Sequence, residues 1–196
     1  MIPAFIAIGA SAVLVAVRFL TADLRAKRAL RKVALWRIAD LREGDRVKIV
    51  GVVGRGAEPL VSPNRELPCV YYHAWHEELT RGEKGGVGWR ATGDEEHGCD
   101  FTIDDDSGTA SVDGEGISGA LAIASYVTFA APSPKQRGRE AVIAVGQRIA
   151  VIGQVVFEPH AEMYRDGTPR IVIRDGVVSD DPVIVEAGAP PPSPRS

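Results

Sequence analysis

Cysteine is scarce in this chain: among 196 residues only Cys69 and Cys99 are found. Two are too few for a disulfide framework. The phosphate-cradling glycine loops are absent, and so is a Gly-x-Ser-x-Gly elbow, which removes the commonest nucleotide-binding and serine-hydrolase chemistries. Past residue 20 no apolar run is long enough to span a bilayer. The longest, from Ile117 to Ala131, is broken by Ser118, Gly119, Ser125 and Thr128 and reads as core-facing strand and loop. Basic charge is missing where a nucleic-acid surface would need it. Residues 1–48 hold ten Lys/Arg against four Asp/Glu, whereas residues 49–196 hold thirteen against twenty-two. So acidic a soluble part repels phosphate backbones, and no nucleic-acid partner is expected.

What is present begins with IPAFIAIGASAVLVAV, Ile2 to Val17, without a charged residue. With Arg18, Phe19 and Leu20 it extends over residues 2–20, close to the ~30 Å hydrocarbon core at about 1.5 Å per helical residue. A cleaved signal peptide is the alternative, but such peptides open with positive charge and none precedes this run. Positive charge follows instead, in Arg18, Arg25, Lys27, Arg28, Arg31, Lys32 and Arg37, against Asp23 alone. The positive-inside rule then puts the N-terminus outside and the rest in the cytoplasm, a single-pass protein of the cell membrane with the lipid bilayer as partner through residues 2–20. Residues 21–41 read as a basic juxtamembrane helix, with Leu24, Leu30, Val33, Ala34, Leu35 and Ile38 partly at helical spacing. Its charges hold anionic headgroups or only fix topology; both readings stand.

From Gly44 the texture is that of strands. Gly44-Asp-Arg-Val-Lys-Ile-Val-Gly-Val-Val53 alternates and is rich in β-branched residues. A near copy, Gly146-Gln-Arg-Ile-Ala-Val-Ile-Gly-Gln-Val-Val156, starts 102 residues later. Each carries a mid-strand glycine, which permits a sharp bend or the close approach of another strand. The expected fold is therefore mainly β: a small OB-like, closed or partly open barrel over residues 42–186, preceded by the anchor of residues 1–20 and the juxtamembrane helix. Further strands are expected at Cys69–Trp75, at Asp100–Asp104 and Thr109–Asp113 as a hairpin, at Tyr126–Ala130, Arg170–Ile173 and Val183–Val185. Arg81–Gly98, with six glycines in eighteen residues, and Pro132–Arg139 read as loops. The proline-rich tail at 187–196, AGAPPPSPRS, reads as disordered.

The chemistry-bearing stretch is Glu66-Leu-Pro-Cys-Val-Tyr-Tyr-His-Ala-Trp-His-Glu-Glu78, followed by His97-Gly-Cys99. As a strand it puts Cys69, Tyr71, His73 and Trp75 on one face. Cys69 and His73, with His97 and Cys99 folded back, offer four zinc ligands, but neither pair has a common ligand spacing. A small buried cysteine beside polar aromatics is the plainer reading, and no cofactor is expected. Nor is Cys69 placed as a nucleophile, since an apolar strand raises a thiol pKa. Asp104-Asp-Asp-Ser-Gly108 lacks the third acidic position of a calcium loop and matches a hairpin turn.

Leu60-Val-Ser-Pro63 with Leu67-Pro-Cys-Val-Tyr-Tyr72, and Phe101-Thr-Ile-Asp-Asp-Asp-Ser-Gly-Thr-Ala-Ser-Val112, resemble the GIDE domain. That module lies beside a membrane in membrane-anchored RING-type E3 ubiquitin ligases and in many shorter prokaryotic proteins. The resemblance runs over about Leu41 to Val185 and includes the order of anchor, glycine-bearing strand, variable loop, hairpin and closing strand. The ligases carry a zinc-binding RING, which two cysteines cannot build, so no ligase residue is carried over. The resemblance implies a non-catalytic scaffold or adaptor that binds an unidentified protein at the cytoplasmic membrane face. Tyr71, Tyr72, Trp75 and Trp89 are its candidate contact residues. The alternatives are an E3-like transferase or a metal-dependent enzyme at Cys69, His73, His97 and Cys99.

Overall fold

The computed structural model describes residues 27–56, 58–81, 86–119, 122–130, 133–159 and 170–186. The expected anchor at 2–20 and the tail at 187–196 lie outside these residues. Among the described residues no helix is long and apolar enough to cross a membrane.

The chain is mainly β, and its centre is a closed barrel of five strands. These are β1 (Arg46–Val53), β6 (Phe101–Asp105), β7 (Gly108–Val112), β10 (Arg148–Glu158) and β11 (Arg170–Ser179). Around the barrel the order is β1-β10-β11-β7-β6 and back to β1, antiparallel throughout except for β11 beside β7. The two sequence repeats are β1 and β10, laid antiparallel so that Val50 faces Ala150. Gly44 and Gly146 open the two copies at φ of 82° and 85°, a conformation that suits glycine. The mid-strand Gly51 lets β6 come close: a Cβ there would stand 2.4 Å from the Asp104 carbonyl oxygen. Alternation sends Val47, Ile49 and Val53 of β1, with Ile149, Val151 and Val155 of β10, into one core with Phe101, Ile103, Val112, Ile173 and Val178.

Residues 27–32 are helical (α1), but the helix expected to reach Leu41 stops there. Ala34 to Trp36 instead run beside β1, with Trp36 N–H donating to Lys48 C=O at 2.9 Å and Lys48 N–H to Ala34 C=O at 3.1 Å. A short 3-10 turn, Ile38–Asp40, follows. The apolar residues do not form one helical stripe because they serve two cores. Trp36, Ile38 and Leu41 join the barrel core, while Leu30, Val33 and Leu35 pack outside it on Val50, Ala150 and Ile152. The stretch at Val183–Val185 is helix and not strand: α2 (Pro182–Glu186) begins at a proline, and Asp181 caps it by accepting from Val183 N–H at 2.9 Å.

Two insertions in the barrel build a second sheet. β2 (Leu60–Val61) and β3 (Pro68–Cys69) form a small ribbon. β4 (Tyr71–Arg81), β5 (Val87–Gly98), β8 (Val127–Ala130) and β9 (Gln136–Ile143) form a four-stranded sheet in the order β5-β4-β9-β8. The expected loop Arg81–Gly98 is thus largely strand, and the second half of Pro132–Arg139 is strand as well. Arg81–Gly98 carries β5, whose side chains are mostly exposed and leave no burial period to read. Pro132–Arg139 enters β9 at Gln136.

Candidate functional site

The register of β4 with β5 and β9 decides which side chains meet. Tyr71, His73 and Trp75 share one face with Asp94 and Glu96 of β5 and with Arg139 and Ala141 of β9. The half of this face nearest the barrel is closed over by residues 117–119 and 122–126. There Tyr71 is wholly buried; its hydroxyl donates to Glu96 Oε1 at 2.5 Å, and Gly119 N–H donates to the same oxygen at 2.6 Å. A Cβ at Gly119 would stand 2.8 Å from the Tyr71 hydroxyl, so glycine is what lets the loop lie on the ring.

His73, 4% exposed, is held between Tyr126 and Asp94. A carboxylate only accepts, so Nε2–H donates to Asp94, while Nδ1 meets the Tyr126 hydroxyl, and both ring nitrogens have a partner. The row has the outline of a hydroxyl–imidazole–carboxylate relay, but its electrostatics run against a nucleophile. Burial, followed by Glu96 and Asp94, pushes the Tyr126 phenol up to about 12, with Arg139 opposing. Burial and then the bond to Glu96 push Tyr71 up as well. The cluster ties the loop to the sheet.

Farther from the barrel the same face is open. A bulge between His76 and Glu77 shifts β5 by one residue and brings Trp89, opposite Leu79, onto the side of Trp75. Trp75 is 36% exposed and Trp89 37%. The Arg137 guanidinium lies 4.2 Å from the Trp89 ring centre, and its Nε donates to Glu77 Oε2 at 2.7 Å. Tryptophan stacked by a positioned arginine is the composition that dominates binding energy at protein interfaces.

The opposite face holds a feature the sequence did not announce. Glu140 is wholly buried in β9. Its Oε2 accepts from Ser62 Oγ at 3.1 Å and Arg65 N–H at 3.2 Å; its Oε1 accepts from Asn64 N–H at 3.0 Å and Asn64 Nδ2 at 3.1 Å. One carboxylate thus closes the Ser62-Pro-Asn-Arg65 turn over the sheet. The signal available was a lone acid among apolar strand residues, Glu140-Ala-Val-Ile143, beside a Ser-Pro-Asn turn with donors to spare.

Of the sequence candidates, Trp75 and Trp89 share the open face. Tyr71 and Tyr72 do not: Tyr71 is wholly buried and Tyr72 is 8% exposed, its hydroxyl donating to Glu95 Oε1 at 2.6 Å. The four candidate zinc ligands do not converge on one point. Val70 leaves the ladder between β3 and β4, so Cys69 turns away from His73 and packs with Tyr72, Ala74 and Leu60. His97 is exposed and stacks on Tyr72 at 5.4 Å between ring centres. Among the described residues no three His, Cys, Asp or Glu side chains gather to hold a metal ion. Burial, then Cys99 and Glu140, push the Cys69 thiol up to about 11, and burial raises Cys99 too. No family model matches the chain, and no curated protein matches it.

Proposed function

We propose that this is a bilayer-anchored, GIDE-type protein whose β domain is a non-catalytic scaffold for other proteins at the cytoplasmic membrane face. The observation that carries the reading is the open Trp75–Trp89 face, displayed on a sheet whose other half is fixed by the Tyr71–Glu96 and Tyr126–His73–Asp94 contacts. Rigid aromatics beside an arginine, with no convergent nucleophile or metal cluster among the described residues, favour recognition over reaction. The barrel order, β1-β6-β7-β11-β10 with one parallel pair, supports an OB-like barrel. The distance to the bilayer supports the anchored reading. Seven Cα steps separate Leu20 from Lys27 at the described start of α1, at most about 25 Å of chain, so an inserted segment 2–20 keeps the barrel beside the membrane.

Two measurements test this. Alkaline carbonate extraction is expected to leave the full chain in the membrane pellet, and release by carbonate overturns the anchor. A gentle-detergent pull-down of the full chain, compared with a Trp75→Ala/Trp89→Ala variant shown folded by circular dichroism, is expected to lose its protein partner in the variant. Zinc near one per chain with no partner overturns the scaffold.

A further inference from the structure

The 12-residue strand β5 borders the inserted sheet, so one side of its backbone meets β4 and the other meets no strand among the described residues. One bond fixes which groups face out. Cys99 N–H donates to Val70 C=O at 2.9 Å, so in the antiparallel ladder His97, Glu95 and Gly93 turn their backbones toward β4. Gly98, Glu96 and Asp94 turn theirs outward. The bulge at Thr92 shifts the phase by one, and beyond it Ala91, Trp89 and Val87 are the outward set.

A bulge ordinarily spoils a sheet edge for pairing. Here it leaves one partner that fits. We infer that β5 pairs antiparallel with β5 of a second copy of this chain, joining two four-stranded sheets into one. Setting Trp89 against Glu96 of the second copy, and Ala91 against its Asp94, matches outward groups with outward groups on both sides of the bulge. Each copy carries its extra residue at the same place, so neither half falls out of register. The charges agree. Arg90 is exposed and in no ion pair among the described residues; it comes opposite Glu95 of the second copy, at a non-hydrogen-bonded position where facing side chains are closest. Tyr72 and His97 both use Glu95 Oε1, which leaves Oε2 for the arginine. Two-fold symmetry makes this pair twice, and it sets each acidic run Asp94-Glu-Glu96 against Trp89-Arg-Ala91 instead of against its own like. The pairing is independent of whether residues 2–20 enter a bilayer.

Sedimentation equilibrium of the full chain in mild detergent tests it. A dimer is expected. Arg90→Glu and Glu95→Arg should each weaken it about 30-fold, since each change turns two attractions into two repulsions. The combined Arg90→Glu/Glu95→Arg chain should regain wild-type affinity, with far-UV circular dichroism unchanged throughout. A mixture of Ala91→Cys and Asp94→Cys chains should oxidise to a crosslinked pair, because a hydrogen-bonded pair places Cα atoms about 5.5 Å apart, within disulfide reach. A chain that stays monomeric at every concentration, a dimer indifferent to the single reversals, or reversals that the combination does not rescue would overturn the inference.

Discussion

Replacing Glu140 by glutamine tests whether one carboxylate closes the turn at residues 62–65. The substitution preserves shape and removes an acceptor. Glu140 has no exposed surface, and four donors converge on its two oxygens: two on Oε1, both from Asn64, and two on Oε2, from Ser62 and Arg65. An amide nitrogen at Oε1 meets two N–H groups, so it settles at Oε2. There the Ser62 hydroxyl can turn round, but the Arg65 N–H cannot. Each hydrogen bond to a charged acceptor contributes about 1.5–3 kcal/mol. Losing the Arg65 bond and weakening those to Asn64 should cost about 3 kcal/mol, and Glu140→Ala, which strands all four donors, about 4–5 kcal/mol. Urea unfolding followed by circular dichroism gives the global figure. Limited trypsinolysis gives the local one, since Arg65 is exposed and sits in the turn. Cleavage after Arg65 should speed up in Glu140→Gln even where the rest of the chain resists. Stability within about 0.5 kcal/mol of wild type, with equal protection at Arg65, would refute the assignment.

Other consequences can be checked separately. Gly51→Ala should cost about 3 kcal/mol, because its Cβ would stand 2.4 Å from a backbone oxygen of β6, whereas Gly88→Ala, with nothing within 4 Å, should be nearly neutral; paired urea titrations decide. Burial alone would raise the Asp105 carboxyl, but the Ser107 hydroxyl and the N–H groups of Ile38, Ser107 and Gly108 outweigh it and hold the pKa below the usual value. A carboxyl depressed in the folded state contributes stability that is fully present above its unfolded value of about 3.9 and is lost as pH falls through the folded one. Asp105→Asn should therefore be less stable at pH 7, with the gap to wild type narrowing below about pH 4 in pH-dependent urea melts; a gap that does not narrow would contradict the assignment. With its thiol near 11, Cys69 is about one part in a thousand thiolate at pH 8. It should resist a thiol reagent until urea exposes it, and labelling of the folded chain at the rate of a free thiol would rule this out.

The barrel was legible because its residues repeat a physical requirement. Gly-x-Arg followed by alternating Val and Ile, with a glycine in mid-strand, needs a turn at one end and a close neighbour in the middle, and β1 and β10 have both. The Asp104–Gly108 turn was legible for a similar reason: Asp105 satisfies the donors of its own turn. β5 was hidden because burial is what writes a period into a strand, and a border strand with both faces wet has none. The sides of β4 were misjudged at a single residue: when Val70 leaves the ladder, Cys69 changes face and the zinc grouping falls apart. Glu140 was unreadable in isolation, since its four donors lie 75 to 78 residues away in sequence.

The placement of β1 also governs how the chain folds during its own synthesis. Both neighbours of β1 in the barrel come late: β6 starts at residue 101 and β10 at residue 148. As the chain leaves the ribosome, Arg46-Val-Lys-Ile-Val-Gly-Val-Val53 must wait about 50 further residues for β6 and about 95 for β10, several seconds at ordinary elongation rates. Residues 34–36, which precede it and bond to Lys48, and α1, whose Leu30 packs in the cluster around Val50, can shield it meanwhile. Truncation upstream of Trp36 should therefore harm the yield of folded protein more than its final stability, because it exposes a sticky strand during the interval before β6 and β10 arrive.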